Sequence, residues 1–439
     1  MKTKTFQKEK VHVVTLGCSK NFVDSENLIT HLAHHKIAVE HNADQNDSEI
    51  VIINTCGFID KAKEESIDTI LSYAELKKTG RLKKLFVTGC LSQRYKDQLE
   101  DEIKEVDAFY GTMELPLLLK NFEIDYKSEL IGERILLKPS HYAYVKISEG
   151  CNRTCSFCAI PLMRGAHVSR TIESIVHEVK HLTTQGVKEI ILIAQELTYY
   201  GLDIYKQRCL DQLVRELCKI DGVEWIRLHY AYPAKFPMEI IEVMKSEPKV
   251  CKYLDIPLQH ASDPILKAMK RQTTQAEMQA LIDEIRDKIP GISLRTTMLL
   301  GFPGETEEDV QQVIEFIQRN RFDRLGVFTY SHEDGTSAYE LEDDIPLEIK
   351  QERASRVMDI QEQISLELNQ EKVGKIFRVL VDQKMSGNYV GRTEADSPEV
   401  DNEVHINAQN LYLRIGDFVE AKITAADHFD LIAIAQIKG

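Results

Sequence analysis

The chain contains 439 residues, of which 43% are hydrophobic and 28% are charged, so it is long enough for two or three domains with sizeable cores. No apolar run approaches the roughly 20 residues of a membrane span, and the N-terminal stretch MKTKTFQKEK lacks the apolar segment of a secretory signal, so we predict a cytoplasmic protein with no membrane partner. The net charge of −15 disfavours a polyanion as the main partner and favours a basic one, although a local basic patch can still bind RNA.

The N-terminal part of the chain alternates short apolar runs with amphipathic stretches. Apolar strands that alternate with helices are typical of an open parallel sheet covered on both faces. The predicted strands are 11–17, 49–55 and 83–89, and the predicted helices are 23–35, 60–77 and 92–103.

The central part repeats this alternation over a longer stretch, after a connector at 133–141. Six βα units of this kind predict a parallel barrel or partial barrel, followed by a long polar helix at about 346–371. The predicted strands are 143–148, 188–194, 224–230, 252–258, 292–300 and 324–331.

The last part changes character, because short strand-like runs are broken by Gly, Asn and Asp. Such a pattern predicts a small all-β barrel. We therefore predict an α/β protein with an N-terminal open parallel sheet, a central partial (βα)6 barrel and a C-terminal β-barrel. The expected domains are 1–132, 133–371 and 372–439.

Three cysteines, Cys151, Cys155 and Cys158, directly follow the first strand of the predicted central barrel. A 4Fe–4S cluster is usually held by four cysteines, so three ligands leave one iron open. An open iron can bind the amino and carboxylate groups of S-adenosylmethionine (SAM), whose cleavage by one electron gives a carbon radical. The alternatives are core cysteines or a zinc site, for which His167 is the nearest fourth ligand.

Three further cysteines, Cys18, Cys56 and Cys90, each directly follow a predicted strand of the N-terminal sheet. Nine cysteines in a cytoplasmic chain are unsuited to disulfides, which leaves metal binding, catalysis or core packing. The loops after parallel strands emerge at one sheet edge, where ligands bind, so we expect these three thiols to converge on a second cluster. The alternative is that some of them are ordinary buried cysteines.

Together these features resemble the methylthiotransferase family of radical-SAM enzymes over nearly the whole chain. The resemblance rests on both cysteine sets and on the segments LGCSKN (16–21), VDSE (23–26) and CAIPLMRG (158–165). It also includes a C-terminal segment that looks like a TRAM domain. The tRNA-modifying members carry Gly-Cys-Gln-Met-Asn where this chain has Gly-Cys-Ser-Lys-Asn, so the likeness is greater to members that modify an aspartate of small-subunit ribosomal protein twelve.

This resemblance implies two 4Fe–4S clusters and two SAM molecules per turnover. One SAM donates a methyl group to a sulfur associated with the N-terminal cluster. The other is cleaved at the second cluster, and its radical removes hydrogen from the β-carbon of the target aspartate, which then receives the methylthio group. The implied partners are the basic ribosomal protein and an electron donor such as flavodoxin or ferredoxin.

Several residues at the predicted strand ends are candidates for contact with SAM or substrate. Glycines in such loops allow close backbone approach. The candidates for cofactor binding are Gln195, Glu196, Gly301, Pro303 and Gly304, and the further candidates are Arg164, Arg170, Arg295, Gln259 and His260. A structural role is the alternative for each of them.

The predicted C-terminal barrel contains an acidic run at 394–403. A solvated surface or an electrostatic platform for a basic protein are the two interpretations of this run. A barrel built for tRNA should instead show Lys and Arg interleaved with aromatic residues, so the run favours a protein substrate. A tRNA methylthiotransferase and a non-catalytic iron–sulfur carrier are the two alternative functions.

Overall fold

The computed structural model describes residues 10–43, 47–137, 141–385, 387–408 and 411–436. Most of the N-terminal stretch on which the absence of a secretory signal was predicted, and residues 138–140 of the predicted connector, lie outside these ranges. Within them, no helix is both long and apolar enough to cross a membrane.

The N-terminal domain is a parallel sheet of five strands in the order β2-β1-β3-β4-β5 with helices on both faces, as predicted. Its elements are β1 Val11–Thr15, α1 Ser19–His34, β2 Val39–His41, β3 Ile50–Thr55, α2 Asp60–Lys78, β4 Lys84–Gly89, α3 Cys90–Glu102, β5 Ala108–Phe109 and α4 Leu115–Lys120. Alternate residues of β3 face different cores: Ile50 and Ile52 pack with α1 and α4, whereas Val51 and Ile53 pack with α2 and α3. Burial on both faces explains why β3 is a continuous apolar run.

The central domain is an open parallel sheet of six strands in the order β6-β9-β10-β11-β12-β13, which confirms the partial barrel. Its helices cover the convex face and form the largest apolar core of the described residues. Its elements are β6 Tyr142–Lys146, β7 Ser148–Glu149, α5 Ile160–Arg164, β8 Val168–Ser169, α6 Ile172–Thr184, β9 Glu189–Ile193, α7 Leu210–Cys218, β10 Trp225–Leu228, α8 Glu239–Ser246, β11 Val250–Asp255, α9 Asp263–Ala268, α10 Gln275–Lys288, β12 Ser293–Leu300, α11 Glu307–Asn320, β13 Arg324–Thr329 and α12 Leu347–Gln370, with short 3-10 helices at Ser128–Glu133, Leu197–Tyr199 and Ser337–Glu340.

The C-terminal domain is a closed five-stranded barrel, as predicted. Its strands pair antiparallel except β16 and β18, which pair parallel. The strands are β14 Ile376–Met385, β15 Asn388–Thr393, β16 Val404–Asn407, β17 Phe418–Ala426 and β18 Leu431–Ala435.

The loop between β15 and β16, here called the plug loop (394–403), enters the concave face of the central sheet. Ser397 bonds to His229 Nε2 at 2.8 Å, and Asp401 accepts a hydrogen bond from Tyr253 Oη at 2.8 Å. His229 and Tyr253 alternate along the chain with Leu228 and Leu254, which pack against the helices on the convex face. Because successive strand residues point to opposite faces, the plug loop fills the interior of the partial barrel.

The acidic run of the sequence is this plug loop, and its interpretation as a solvated surface or an exposed platform is wrong for Asp396 and Asp401. The side chains of Asp396 and Asp401 are 1% and 0% exposed. They pair with Arg324 and Arg295, which the sheet presents to its concave face. Buried carboxylates are retained where cations and hydrogen-bond donors meet them, so the run docks the C-terminal barrel.

Candidate functional site

The three N-terminal cysteines lie at the carboxyl ends of neighbouring parallel strands. Cys18 precedes the first residue of α1, Cys56 follows β3, and Cys90 begins α3. A Cβ atom on Gly17 would lie 2.8 Å from Cys56 Sγ, so glycine is required for the loop before Cys18 to approach Cys56. The pKa of Cys90 is raised to about 11, mainly by burial, and the charges of Cys18 and Cys56 contribute to this rise. The structure thus brings the three thiols together.

Asn21 holds the three cysteine loops in place. Its buried side-chain amide donates to the carbonyls of Leu16 at 2.9 Å and Thr55 at 3.0 Å, which stand in the loops of Cys18 and Cys56. Its Oδ1 accepts the thiol of Cys90 at 3.7 Å. One side chain of α1 therefore fixes the relative positions of all three loops.

Arg164, from the segment that follows the second cysteine triplet, reaches into the N-terminal site. It donates to Asn21 Oδ1 and forms an ion pair of 2.6 Å with Asp24. Burial dominates the raised pKa of Cys56 and Cys90, and the charge of Arg164 opposes it in both. The sequence suggested a contact with SAM or substrate, whereas the structure places this guanidinium beside the N-terminal thiols, where it favours their charged form.

The second triplet lies on the loop between β7 and α5. Gly150, which has φ +75°, precedes Cys151, and a Cβ atom there would lie 2.1 Å from the carbonyl oxygen of Ala166. Burial raises the pKa of Cys151 to about 11 and that of Cys158 to about 12, and the charge of Cys155 contributes to both. The three thiols are therefore close enough to influence one another.

A stack of cations and aromatic rings that the sequence analysis missed surrounds Cys155. The guanidinium of Arg153 lies 4.0 Å from the ring centre of Tyr199 and 3.8 Å from that of Tyr232. Arg271 lies 4.2 Å from the Tyr232 ring and donates to Cys155 Sγ at 3.4 Å. The position of Arg153 inside the triplet was an available signal, but Arg271 is 116 residues from Cys155 and only the fold brings it near.

Gln195 and Glu196 follow β9 and lie beside this stack. Gln195 Nε2 donates to Glu149 at 2.5 Å, while its buried Oε1 has no hydrogen-bond partner in the described structure. Glu196 accepts hydrogen bonds from Arg153 at 3.1 Å and from the backbone N–H of Thr198 at 2.7 Å. Gln195 thus has an acceptor available for a ligand, whereas Glu196 positions Arg153.

Hydrogen bonds to other residues of the central domain hold the predicted glycine loop after β12. The N–H of Gly301 donates to Glu305 at 3.0 Å, and the N–H of exposed Gly304 donates to Asp344 at 3.0 Å. Pro303 is buried between them. A Cβ atom on Gly301 would lie 2.2 Å from Lys350 Cγ, so this glycine allows α12 to pack closely.

The remaining candidates have the following contacts. Arg170 pairs with Glu178, and Arg295 pairs with Asp401 of the plug loop. His260 bonds to Glu305 at 3.2 Å and accepts the backbone N–H of Ser262 at 3.0 Å. Gln259 is half-buried at the end of the concave face, with φ +80°.

All three domains meet beside Cys18. A cavity of about 160 Å³ opens there, lined among others by Phe22 of α1, by Tyr142 and Tyr144 of β6 and by Glu399 of the plug loop. The hydroxyl groups of both tyrosines lie 3.4 Å from Glu399. Cys18 is the exposed residue of the three, while Cys56 and Cys90 are buried.

Both triplets suit an iron–sulfur cluster better than a single metal ion. Among the described residues, no three His, Cys, Asp or Glu side chains are grouped as a single ion requires. His167, the fourth ligand of the zinc alternative, belongs to no such group of described residues, and its Nε2 bonds to Ser169 at 3.0 Å. A four-iron cluster binds each thiolate through a different iron, so its ligands stand further apart, and Arg164 and Arg271 supply positive charge beside them.

Comparisons with known proteins agree with this site. Residues 145–317 match the radical SAM superfamily, residues 10–111 match the Uncharacterized protein family UPF0004, and residues 373–435 match the TRAM domain. The chain is 56% identical over 431 residues to "Ribosomal protein uS12 methylthiotransferase RimO" of Cytophaga hutchinsonii, covering 98% of this chain and 99% of that one. It is 57% identical over 431 residues to the protein of the same name from Flavobacterium psychrophilum, with the same coverage.

Among solved structures, the fold is similar to the radical S-adenosylmethionine methyltransferase TsrM of Kitasatospora setae, which has cobalamin and a [4Fe-4S] cluster bound. That likeness has a TM-score of 0.55 at 15% identity and covers 73% of this chain and 72% of that chain. The cobalamin-dependent radical enzyme OxsB gives a TM-score of 0.51 at 15% identity and covers 81% of this chain and 56% of that chain. At such identity these likenesses concern the fold alone. The relatives with the high identities carry the assignment: the chain belongs to the RimO family of ribosomal protein uS12 methylthiotransferases, within the radical SAM superfamily.

Proposed function

We propose that this protein transfers a methylthio group to the β-carbon of an aspartate in small-subunit ribosomal protein uS12. The observation that supports this best is Arg164, which follows the second cysteine triplet in sequence and bonds to Asn21 and Asp24 beside the first. Arg164 thus links the segment after the second triplet to the residues that hold the loops of the first, which supports a single two-cluster centre. An unactivated C–H bond cannot be broken by acid–base catalysis, so a radical is needed to remove its hydrogen. A second site beside the radical-forming one is needed to hold the sulfur that replaces this hydrogen.

The cluster ligands fall into two groups of three. When bound, the two 4Fe–4S clusters supply the electron that cleaves SAM and the site from which methylthio sulfur is delivered. The proposed ligands are Cys18, Cys56 and Cys90 for the first cluster and Cys151, Cys155 and Cys158 for the second. The proposed SAM contacts are Gln195, Glu196, Gly301, Pro303 and Gly304.

The chain's own residues prepare this centre in three ways. Arg271 and Arg164 place positive charge near the thiols and so favour their deprotonated, metal-binding form. Tyr199 and Tyr232 sandwich Arg153, which fixes the loop of the second triplet. The free acceptor of Gln195 can hold a donor group of SAM.

The remaining proposals concern organisation and partners. We divide the chain at 132/133 and 371/372 into a methylthiotransferase domain, a radical-SAM domain and a TRAM domain. The net charge of −15 suits a basic substrate protein in the cytoplasm. A flavodoxin or ferredoxin is the expected class of reductant.

The test is one anaerobic reaction followed by mass spectrometry. Reconstituted enzyme, SAM, sulfide and reductant are offered ribosomal protein uS12 and an unmodified tRNA pool in parallel. A methylthio gain on an aspartate peptide is expected. The same gain on an adenosine, with none on the protein, would overturn the proposal in favour of a tRNA methylthiotransferase.

A further inference from the structure

Lys20, the second residue of α1, crosses from the N-terminal domain to the mouth of the central barrel. It stands two residues after Cys18, and its Nζ lies 3.4 Å from the ring centre of Tyr230, just beyond the end of β10. Two residues further on, Tyr232 lies 3.8 Å from Cys155 Sγ. Lys20 therefore links the loop of Cys18 to the segment 230–232, whose Tyr232 contacts the second triplet.

Tyr230 holds its ring under Lys20 in an unusual backbone conformation. Its φ is +65°, in the left-handed region where a bulky residue is strained. Two hydrogen bonds maintain this conformation: its N–H donates to Asp255 at 3.1 Å, and its carbonyl accepts the N–H of Leu197 at 3.1 Å. The neighbouring strand ends thus fix the aromatic face on which the ammonium rests.

Lys20 carries a charge that acts on the nearby carboxylate of Asp255 but forms no ion pair with it. It is half-buried, yet no ion pair between residues of the described ranges includes it. Its charge acts on buried groups around it, since it contributes to the lowered pKa of His229, whose main cause is burial, and opposes the burial that raises the pKa of Asp255. A partly desolvated ammonium beside a reaction centre is suited to bind an anionic group that arrives from outside.

We propose that Lys20 binds the side-chain carboxylate of the target aspartate and so selects a carboxylate-bearing residue for methylthiolation. The inference rests on the proposed function. The carboxylate is bonded to the β-carbon at which the reaction occurs, so a contact to it positions that carbon between the two triplets. A neutral amide or a nucleobase would give the ammonium no ion pair.

The test compares two substrates with four enzymes. The substrates are uS12 with its target aspartate and uS12 with asparagine at that position. The enzymes are the wild type, Lys20→Met, Lys20→Arg and the matched control Lys245→Met, which changes an exposed lysine on the outer helix α8. Product is quantified by mass spectrometry, and the iron and EPR signal of each cluster are measured in parallel.

We expect the wild type and the control to prefer aspartate over asparagine. Lys20→Met should reduce that preference by about tenfold or more, the loss of one charge-assisted contact, and Lys20→Arg should retain most of it. An unchanged preference in Lys20→Met would overturn the inference, and so would loss of a cluster's iron in that variant, since Lys20 would then support the cluster.

If Lys20→Met keeps both clusters but yields neither product, the product formed by Lys20→Arg decides whether Lys20 acts through its charge. Recovery of the aspartate product supports a charge contact, and no recovery overturns it. A wild type that modifies neither form of uS12 would refute the proposed function itself, so the two failures are distinguishable.

Discussion

Replacing Asp396 with alanine should detach the C-terminal barrel from the central domain. Asp396 lies in the plug loop, accepts Arg324 Nε at 3.0 Å and also accepts the hydroxyl of Thr393 at 2.6 Å. Both charged side chains are nearly inaccessible, at 5% and 1% exposure. Without the carboxylate, the Arg324 guanidinium keeps its bond to the carbonyl of Asp323 at 2.6 Å but loses its ion-pair partner.

The expected magnitude follows from burial. Breaking a buried ion pair by removing one partner costs about 3–5 kcal/mol, because an uncompensated charge is left inside. An exposed pair at the same interface provides the control: Arg378 and Glu224 are 2.7 Å apart, and their side chains are 42% and 46% exposed. Glu224→Ala should therefore cost about 1 kcal/mol or less.

The single tryptophan of the chain reports on this interface. Trp225 is buried, and its ring centre lies 4.8 Å from that of Phe418 in the C-terminal barrel. Undocking exposes the indole, so the fluorescence maximum should shift to longer wavelength early in a urea titration of the intact protein. The midpoint should fall far more for Asp396→Ala than for Glu224→Ala.

Equal midpoints for the two variants would refute this account of the interface. A second variant sharpens the test. Replacing Arg324 with methionine together with Asp396→Leu removes both charges, so the double variant should recover much of the stability lost by Asp396→Ala. Failure to recover would mean that the loop's conformation, and not the charge pair, fixes the barrel.

Three further expectations concern the site. Cys158→Ala should abolish SAM cleavage and lose one cluster's iron, whereas Cys56→Ala should keep SAM cleavage but give no methylthio product. Assays of 5′-deoxyadenosine, iron and methylthio product check both expectations. Normal product from Cys56→Ala would count against a second cluster. Burial raises the pKa of Asp255 from 3.8 to about 6, so the contribution of this residue to stability should fall by about 3 kcal/mol as pH rises through this window. The difference in unfolding free energy between the wild type and Asp255→Asn should show this fall when it is measured against pH, and a difference that does not change with pH would count against it. Gly89 has φ +102°, and a Cβ atom there would lie 2.5 Å from the carbonyl oxygen of Thr55, whereas Gly374 has φ +87° and open space around it. Gly89→Ala should therefore lower the melting temperature and the iron content of the first cluster more than Gly374→Ala. Equal effects of the two variants would mean that backbone strain is the sole cause.

Local patterns in the sequence predicted most of the fold. Apolar runs and their spacing predicted the principal strands of both sheets, since each such strand is buried on at least one face. The short strands β2 and β5 were missed because a strand of three residues, Val39–His41, or of two, Ala108–Phe109, has too few positions to show a period. Strand order alone then explains the convergence of Cys18, Cys56 and Cys90.

Features that depend on contacts between domains were not predictable in the same way. Arg164 was recognised as a candidate, but its position beside the N-terminal thiols depends on how α1 packs against β6. The acidic plug loop has the composition of a solvated surface, and its burial depends on arginines from strands more than 70 residues away. Arg271 reaches Cys155 through a turn after α9 that carries no distinguishing pattern.

The plug loop also has a consequence for the order of biosynthesis. The chain is made from its N-terminus, so Arg295 and Arg324 leave the ribosome before the carboxylates that neutralise them. Until the C-terminal barrel has folded, the interior of the central barrel contains cations in contact with water. The C-terminal barrel, the domain furthest in sequence from the first cysteine, therefore completes the catalytic scaffold last. The interior of the central barrel stays open in a nascent chain until that domain has folded.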